Sequence, residues 1–169
     1  MKNMSKEQLI LIKKGIGAGC ALLCLLLMLF NVFTYTSSTS VLSGGDVTWD
    51  DGVSLYTMLF NGDSIVVYDK VSYIREILVF SQVVMWISFI GMVGSFCVGA
   101  YGVFTKKNLF SKIASISLIS SIGILLLINF DVEKIANTSK YLSVLTPFYF
   151  ICLLVAGLGL LSTLTIKDK

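Results

Sequence analysis

The sequence has no histidine, a single proline, and charged residues at only 14% of its 169 positions. The missing histidine removes the commonest acid–base and zinc-ligating side chain. An ordinary soluble domain carries about 25% charged residues. Hydrophobic residues make up 56% of the chain, with 14 glycines besides. One core of this size cannot hide so much apolar surface from water, so the remainder must face lipid. A soluble enzyme, a disordered tail, a collagenous or coiled-coil rod and a nucleic-acid-binding domain are thereby excluded. The net charge of +3 is small and is expected to divide across a bilayer.

Charges cut the chain into uncharged runs over 15–45, 77–105, 113–130 and 141–166. A bilayer core of about 30 Å needs roughly 20 apolar residues of helix. The first run loses its apolar character at Thr36-Ser37-Ser38-Thr39-Ser40, which places its span at 15–35. The second span covers about 77–104. The third run is slightly short, so its helix is expected to begin near Asn108 and reach 130, with Lys112 snorkelling to the headgroups. The fourth fits 147–166, with Pro147 in the first turn after Thr146 as N-cap; a helix starting near Ser139 and kinked at Pro147 is the alternative. The chain therefore reads as an all-α membrane protein, one four-helix domain over 1–169 with a small structured outer loop over 36–76.

Orientation follows from the basic residues. With the N-terminus inside, Lys2, Lys6, Lys13, Lys14, Lys106, Lys107, Lys112, Lys167 and Lys169 are cytoplasmic, against Lys70, Arg75, Lys134 and Lys140 outside. Both termini are expected in the cytoplasm, and the membrane is expected to be the plasma membrane. Phe30, Phe33 and Tyr35, then Tyr101 and Phe104, then Phe148, Tyr149 and Phe150 stand at span boundaries, where aromatic belts form. The first run exceeds the length of a signal-peptide apolar region and is read as a retained span.

No ionisable group lies in the central parts of the spans, which argues against a proton-coupled transporter, an intramembrane metalloprotease and a histidine-dependent acyltransferase. Cys20, Cys24, Cys97 and Cys152 all fall within spans. They read as small apolar packing residues, so no disulfide, metal or cofactor is expected. Small residues recur at helical spacing. Gly15 and Gly19 stand four apart, and Gly91, Ser95, Gly99 and Gly102 form the longest series, a helix-packing or partner-docking face. Ala114, Ser117 and Ser121 line one side of the third span, and Cys152, Ala156 and Gly159 one side of the fourth. The serines of the third span (Ser111, Ser115, Ser117, Ser120, Ser121) either bond back to helix backbone or line a wet path.

The 36–76 segment is too long for a simple connection. Ser43-Gly44-Gly45-Asp46 and Asp50-Asp51-Gly52 read as turns. A hairpin of Val53–Phe60 with Ser64–Tyr68 about Asn61-Gly62 competes with a short amphipathic helix through Leu55, Tyr56, Met58, Leu59 and Phe60, followed by one strand. The apolar spacing favours the helix. Asp46, Thr48, Asp50 and Asp51 resemble the start of a calcium loop. However, Asp51 occupies the position of the obligatory glycine and Thr57 that of the bidentate glutamate, so a solvated acidic turn is expected. Asn137-Thr138-Ser139 matches a glycosylation sequon. Trp49, Asp50, Asp51, Tyr56 and Phe60 are the expected contact residues of this loop.

Four spans, cytoplasmic termini and a larger first outer loop resemble the tetraspan plan of claudins, although Trp49 has no loop cysteines beside it. The stretch Leu55-Tyr56-Thr57-Met58-Leu59-Phe60-Asn61-Gly62 after the first span, with lysine used almost to the exclusion of arginine, is similar to uncharacterised small four-span proteins of AT-rich Gram-positive bacteria. Neither resemblance implies an activity. The expected function is non-catalytic: an accessory or assembly subunit of a membrane complex, working through protein contacts. Its partners would be the lipid bilayer and a second membrane protein or further copies of itself, with no nucleic acid. A homo-oligomeric pore with the third-span serines at its lumen is the alternative. An outer-face carboxylate enzyme is weaker, since no loop acid has an evident catalytic partner.

Overall fold

A computed structural model describes residues 5–41, 45–61, 72–105, 107–128 and 139–166. In chain order these form α1 (Lys6–Leu27), β1 (Asn31–Val41), β2 (Gly45–Ser54), α2 (Leu55–Asn61), α3 (Ser72–Phe104), α4 (Leu109–Gly123), which tightens into a 3-10 turn over Ile124–Ile128, then β3 (Ser139–Leu145) and α5 (Pro147–Leu164). Four of the helices are long and apolar enough to cross a membrane: Lys6–Leu27, Gln82–Phe104, Leu109–Leu127 and Pro147–Leu164.

The first helix is displaced from its expected place. It starts at Lys6, where Ser5 and Gln8 form a capping box: Ser5 Oγ accepts from Gln8 N at 3.3 Å and Ser5 N donates to Gln8 Oε1 at 3.1 Å. It stops at Leu27, so residues 31–35 belong to β1 and not to a span reaching Tyr35. The run Val32-Phe33-Thr34-Tyr35-Thr36 is β-branched and aromatic, and it takes strand geometry where partner strands are present. The last turn of α1 closes without loose acceptors. Met28, Leu29 and Phe30 N–H groups bond the carbonyls of Cys24, Leu26 and Leu27 at 3.1 Å each. The remaining carbonyl, Leu25 O, accepts from Tyr56 Oη of α2 at 3.3 Å.

The strands form a three-stranded antiparallel sheet, in the order β2-β1-β3, an element that an all-α expectation lacked. Phe33 pairs with Val53 and Leu145, Tyr35 with Asp51 and Ser143, and Ser37 with Trp49 and Tyr141. Asp50-Asp51-Gly52 is therefore strand and not turn: each of these residues has a cross-strand partner in β1, at Thr36, Tyr35 and Thr34. Asp46, Thr48, Asp50 and Asp51 likewise lie along β2, so no calcium-loop turn forms there. Ser43-Gly44, Gly62, Ser64–Tyr68 and Asn137-Thr138 lie outside the described residues.

Of the two folds expected after Val53, the short helix is present: Leu55 and Leu59 are buried on one side of α2. Residues 72–76 are already part of α3. α5 starts at Pro147 with Thr146 at the N-cap in extended conformation, and Tyr149 N donates to Thr146 O at 3.1 Å. Because residues 139–145 are strand, no kinked longer helix forms.

The long helices pack in a ring, α1 on α3, α3 on α4, α4 on α5 and α5 on α1, with α1 and α4 also meeting across it. Ala21, Cys24, Met28, Met85, Met92, Leu118, Ile122, Leu125, Tyr149, Cys152 and Ala156 fill the centre. The outward helix faces carry Leu, Ile and Val, for example Ile90, Leu154, Leu158 and Leu161, each more than 60% exposed. That inside-out distribution suits a hydrocarbon surround and would be costly in water. Among the described residues two buried hydroxyls, those of Tyr149 and Ser111, have no hydrogen-bond partner, and Tyr149 lies in the core. An unpaired buried donor costs about 1–3 kcal/mol. Tyr149→Phe is accordingly expected to raise the thermal midpoint of the detergent-solubilised protein, as read by a fluorescence melt.

Candidate functional site

The two ends of the bundle differ. At the first, where α1 ends and α5 begins, the segments that precede α3 and α5 come together as one sheet, with β1 against α5 and β2 against α2. Along the register, positions of one parity hold Phe33, Tyr35, Val41, Val47, Trp49, Val53, Tyr141 and Leu145 together with Ser37, Thr39, Asp51, Ser139 and Ser143. The other parity holds Thr34, Thr36, Ser38, Ser40, Asp46, Thr48 and Asp50, with Lys140, Leu142 and Val144. In a strand these two sets belong to opposite faces, so the aromatic positions Phe33, Tyr35, Trp49 and Tyr141 share one of them.

Beneath it, α2 lies across the bundle end. Its two aromatic residues, half-buried Tyr56 and exposed Phe60, meet α3: Tyr56 stands edge-on to Phe89 at 5.6 Å, and Phe60 edge-on to Trp86 at 5.7 Å. Trp86 and Phe89 pack edge-on at 6.1 Å, and Phe30 stacks on Phe148 at 5.1 Å. Partial burial pushes the Tyr56 phenol up from its usual range, and its hydroxyl donates to Leu25 O. Of the five expected contact residues, Tyr56 and Phe60 join this cluster, and Trp49, Asp50 and Asp51 lie on β2. Sequence reasoning missed Trp86 and Phe89. Their spacing of three, seen next to the aromatic pair Tyr56 and Phe60, was the available signal.

At the opposite end, Tyr101 packs edge-on to Phe110 at 5.1 Å. From Trp86 to Phe104 along α3 is about 27 Å at 1.5 Å per residue, close to the thickness of a hydrocarbon core with aromatic belts at both margins. Two lysines of α1 serve the helix C-termini there. Lys13 Nζ donates to Thr165 Oγ1 at 2.8 Å and Thr165 O at 3.3 Å, and Lys14 Nζ to Thr105 O at 2.8 Å and Lys107 O at 3.5 Å. Cations at the ends of α5 and α3 oppose the negative end of each helix dipole.

The glycine-rich face of α3 is occupied within the chain. A Cβ at Gly91 would run into Ser121 Oγ of α4, one at Gly99 would lie 3.5 Å from Ala114 and Ala18, and one at Gly102 would lie 2.6 Å from Ser111 Oγ. Ser95 is buried and bonds Gly91 O at 2.7 Å. On α1 the residue that permits close approach is Gly17, where a Cβ would lie 2.7 Å from Thr163 Cγ2. Gly15 and Gly19 have nothing within 4 Å. Of the serines of α4, Ser111, Ser115 and Ser121 are buried in the packing, Ser117 is half-buried and Ser120 is exposed. Ser115 and Ser121 bond back to Ser111 O and Ser117 O, and Ser88 of α3 reaches Ser121 O at 2.6 Å. Cys24 Sγ donates to Cys152 O at 3.5 Å, and all four cysteines are free thiols. Among the described residues no group of three His, Cys, Asp or Glu is placed to hold a metal ion.

Four helices with apolar outer faces and aromatic rings near both ends are the make-up of a multi-pass membrane protein. Comparison of the chain with protein-family models, with curated proteins and with solved structures finds no match.

Proposed function

We propose that this chain is a non-catalytic multi-pass protein of the plasma membrane, with both termini in the cytoplasm, that acts through protein contacts as an accessory or assembly subunit of a membrane complex. The observation that carries the reading is the sheet: two connections, separated by two transmembrane helices in sequence, are hydrogen-bonded into one cap at one end of the bundle. A chain that needed only to join its helices would use short turns. A cap whose aromatic positions share one face, with Asp46 and Asp50 at positions of the other, offers a partner apolar area and charge together. The glycine face of α3 contributes nothing outward, since α1 and α4 cover it. Further copies of the chain are the competing occupant of the cap. The pore reading has less behind it, because Ser111, Ser115 and Ser121 are buried inside a single bundle.

Affinity purification in mild detergent, with the tag at the C-terminus, tests this. A second membrane protein is expected to co-purify in fixed proportion, and Trp49→Ala with Asp50→Ala is expected to reduce its recovery while leaving the thermal midpoint unchanged. A solitary monomer from the same membranes would defeat the proposal. Single-cysteine labelling at residues 2 and 168 is expected to be blocked in intact cells and to proceed after permeabilisation.

A further inference from the structure

We propose that the turn between α3 and α4 binds the phosphate of an anionic phospholipid headgroup; the proposal rests on the membrane placement above. The Lys14 ammonium sits in this turn, between Thr105 O and Lys107 O. The residue is only 3% exposed, and among the described residues its hydrogen bonds go to these two carbonyls and to no carboxylate. Glu7, the acid described on α1, stands about two helical turns away toward the N-terminus. A buried ammonium shared by two carbonyl dipoles remains short of a counter-anion.

The start of α4 adds donors to the same place. Its N-cap, Asn108, makes no side-chain cap bond, and the first helical bond runs from Lys112 N to Asn108 O. The N–H groups of Leu109, Phe110 and Ser111 thus have no acceptor within the helix, at the positive end of its dipole. The Ser111 hydroxyl, in this same first turn, is 2% exposed and has no partner. Ser111 and Lys14 are at one level, because Gly17 and Ser115 face each other one turn deeper in the bundle. Lys107 is exposed on the turn.

Among the described residues this end of the bundle carries Lys6, Lys13, Lys14, Lys107 and Lys112 against Glu7 alone. An excess of cations beside an uncapped helix N-terminus fits an anion with several acceptor oxygens. The turn lies next to the exposed rings of Tyr101 and Phe104, at the margin of a candidate span, where the abundant anion is a phospholipid headgroup.

Native mass spectrometry of the full chain, extracted from membranes in mild detergent, tests the site with phosphatidylglycerol, phosphatidylcholine of the same chain lengths, and inorganic phosphate. Phosphatidylglycerol is expected to be retained over phosphatidylcholine. Lys107→Gln and Asn108→Asp, which places a carboxylate on the same N–H groups, are each expected to cut that preference about fivefold, since one cation near the surface is worth about 1 kcal/mol. Neither variant is expected to lower the thermal midpoint in lipid-free detergent. Equal retention of the two lipids, or an undiminished preference in both variants, overturns the proposal. Retention of inorganic phosphate equal to that of phosphatidylglycerol, lost in the same two variants, overturns the lipid as the source of the anion. A protein that sediments with membranes yet fails to discriminate loses only this site, whereas recovery in the soluble fraction removes the membrane reading itself.

Discussion

Gly91→Leu is expected to abolish recovery of folded protein, and Gly94→Leu, three residues further along the same helix, is expected to leave it intact. At Gly91 even a Cβ collides with Ser121 Oγ and comes within 3.0 Å of Ser121 Cβ, so a leucine must drive α4 away from α3. Two further losses follow at once. The Ser88 Oγ bond to Ser121 O, at 2.6 Å, is broken, and the buried contacts of Met92 and Ile122 open. Overpacking alone costs about 1–3 kcal/mol, and the separated hydrogen bond adds roughly one more. Gly94 has nothing within 4 Å and lies on the outward face, where a leucine meets only the surround. Size-exclusion profiles and melts of the two variants in the same detergent check the pair. A monodisperse, stable Gly91→Leu protein would show that α3 does not approach α4 through this residue.

Lys14→Glu is expected to be the most damaging single charge change in the molecule. The ammonium of Lys14 answers the carbonyls of Thr105 and Lys107 at the C-terminal end of α3. A carboxylate there would face acceptors only, buried, at the negative end of a helix dipole. Introducing an unpaired buried charge costs about 3–5 kcal/mol. Lys14→Met keeps the apolar stem and removes the charge, so it is expected to lose only the two carbonyl bonds and to survive extraction with a lowered midpoint. Lys13→Glu is expected to be milder than Lys14→Glu, since the Lys13 bonds to Thr165 lie on the exposed surface of the bundle. Equal midpoints for Lys14→Glu and Lys13→Glu would show that burial of Lys14 is not what makes it matter.

The limits of sequence reading are visible in particular residues. The short helix at Leu55–Asn61 was legible because Leu55 and Leu59, and separately Tyr56 and Phe60, repeat at four. The strand Asn31–Val41 was not, since its apolar first half continues directly from the greasy end of α1 and hydropathy does not distinguish the two. Its partner β3 is about a hundred residues away, so no local pattern could announce the pairing. Gly17 escaped notice for a similar reason. Gly15 and Gly19 have the more conspicuous spacing, but the rotation of α1 against α5 decides which glycine lies at the contact.

Composition and the position of charges determined by themselves that four helices are long and apolar enough to cross a membrane, because burying charge in hydrocarbon is costly whatever surrounds it, and the cost can be read one segment at a time. Only the tertiary structure decided that the segments before α3 and α5 share a sheet, that α1 lies between α3 and α5, and that Lys14 closes the end of α3. Those choices depend on register and helix rotation, and both are set by contacts between residues far apart in the chain.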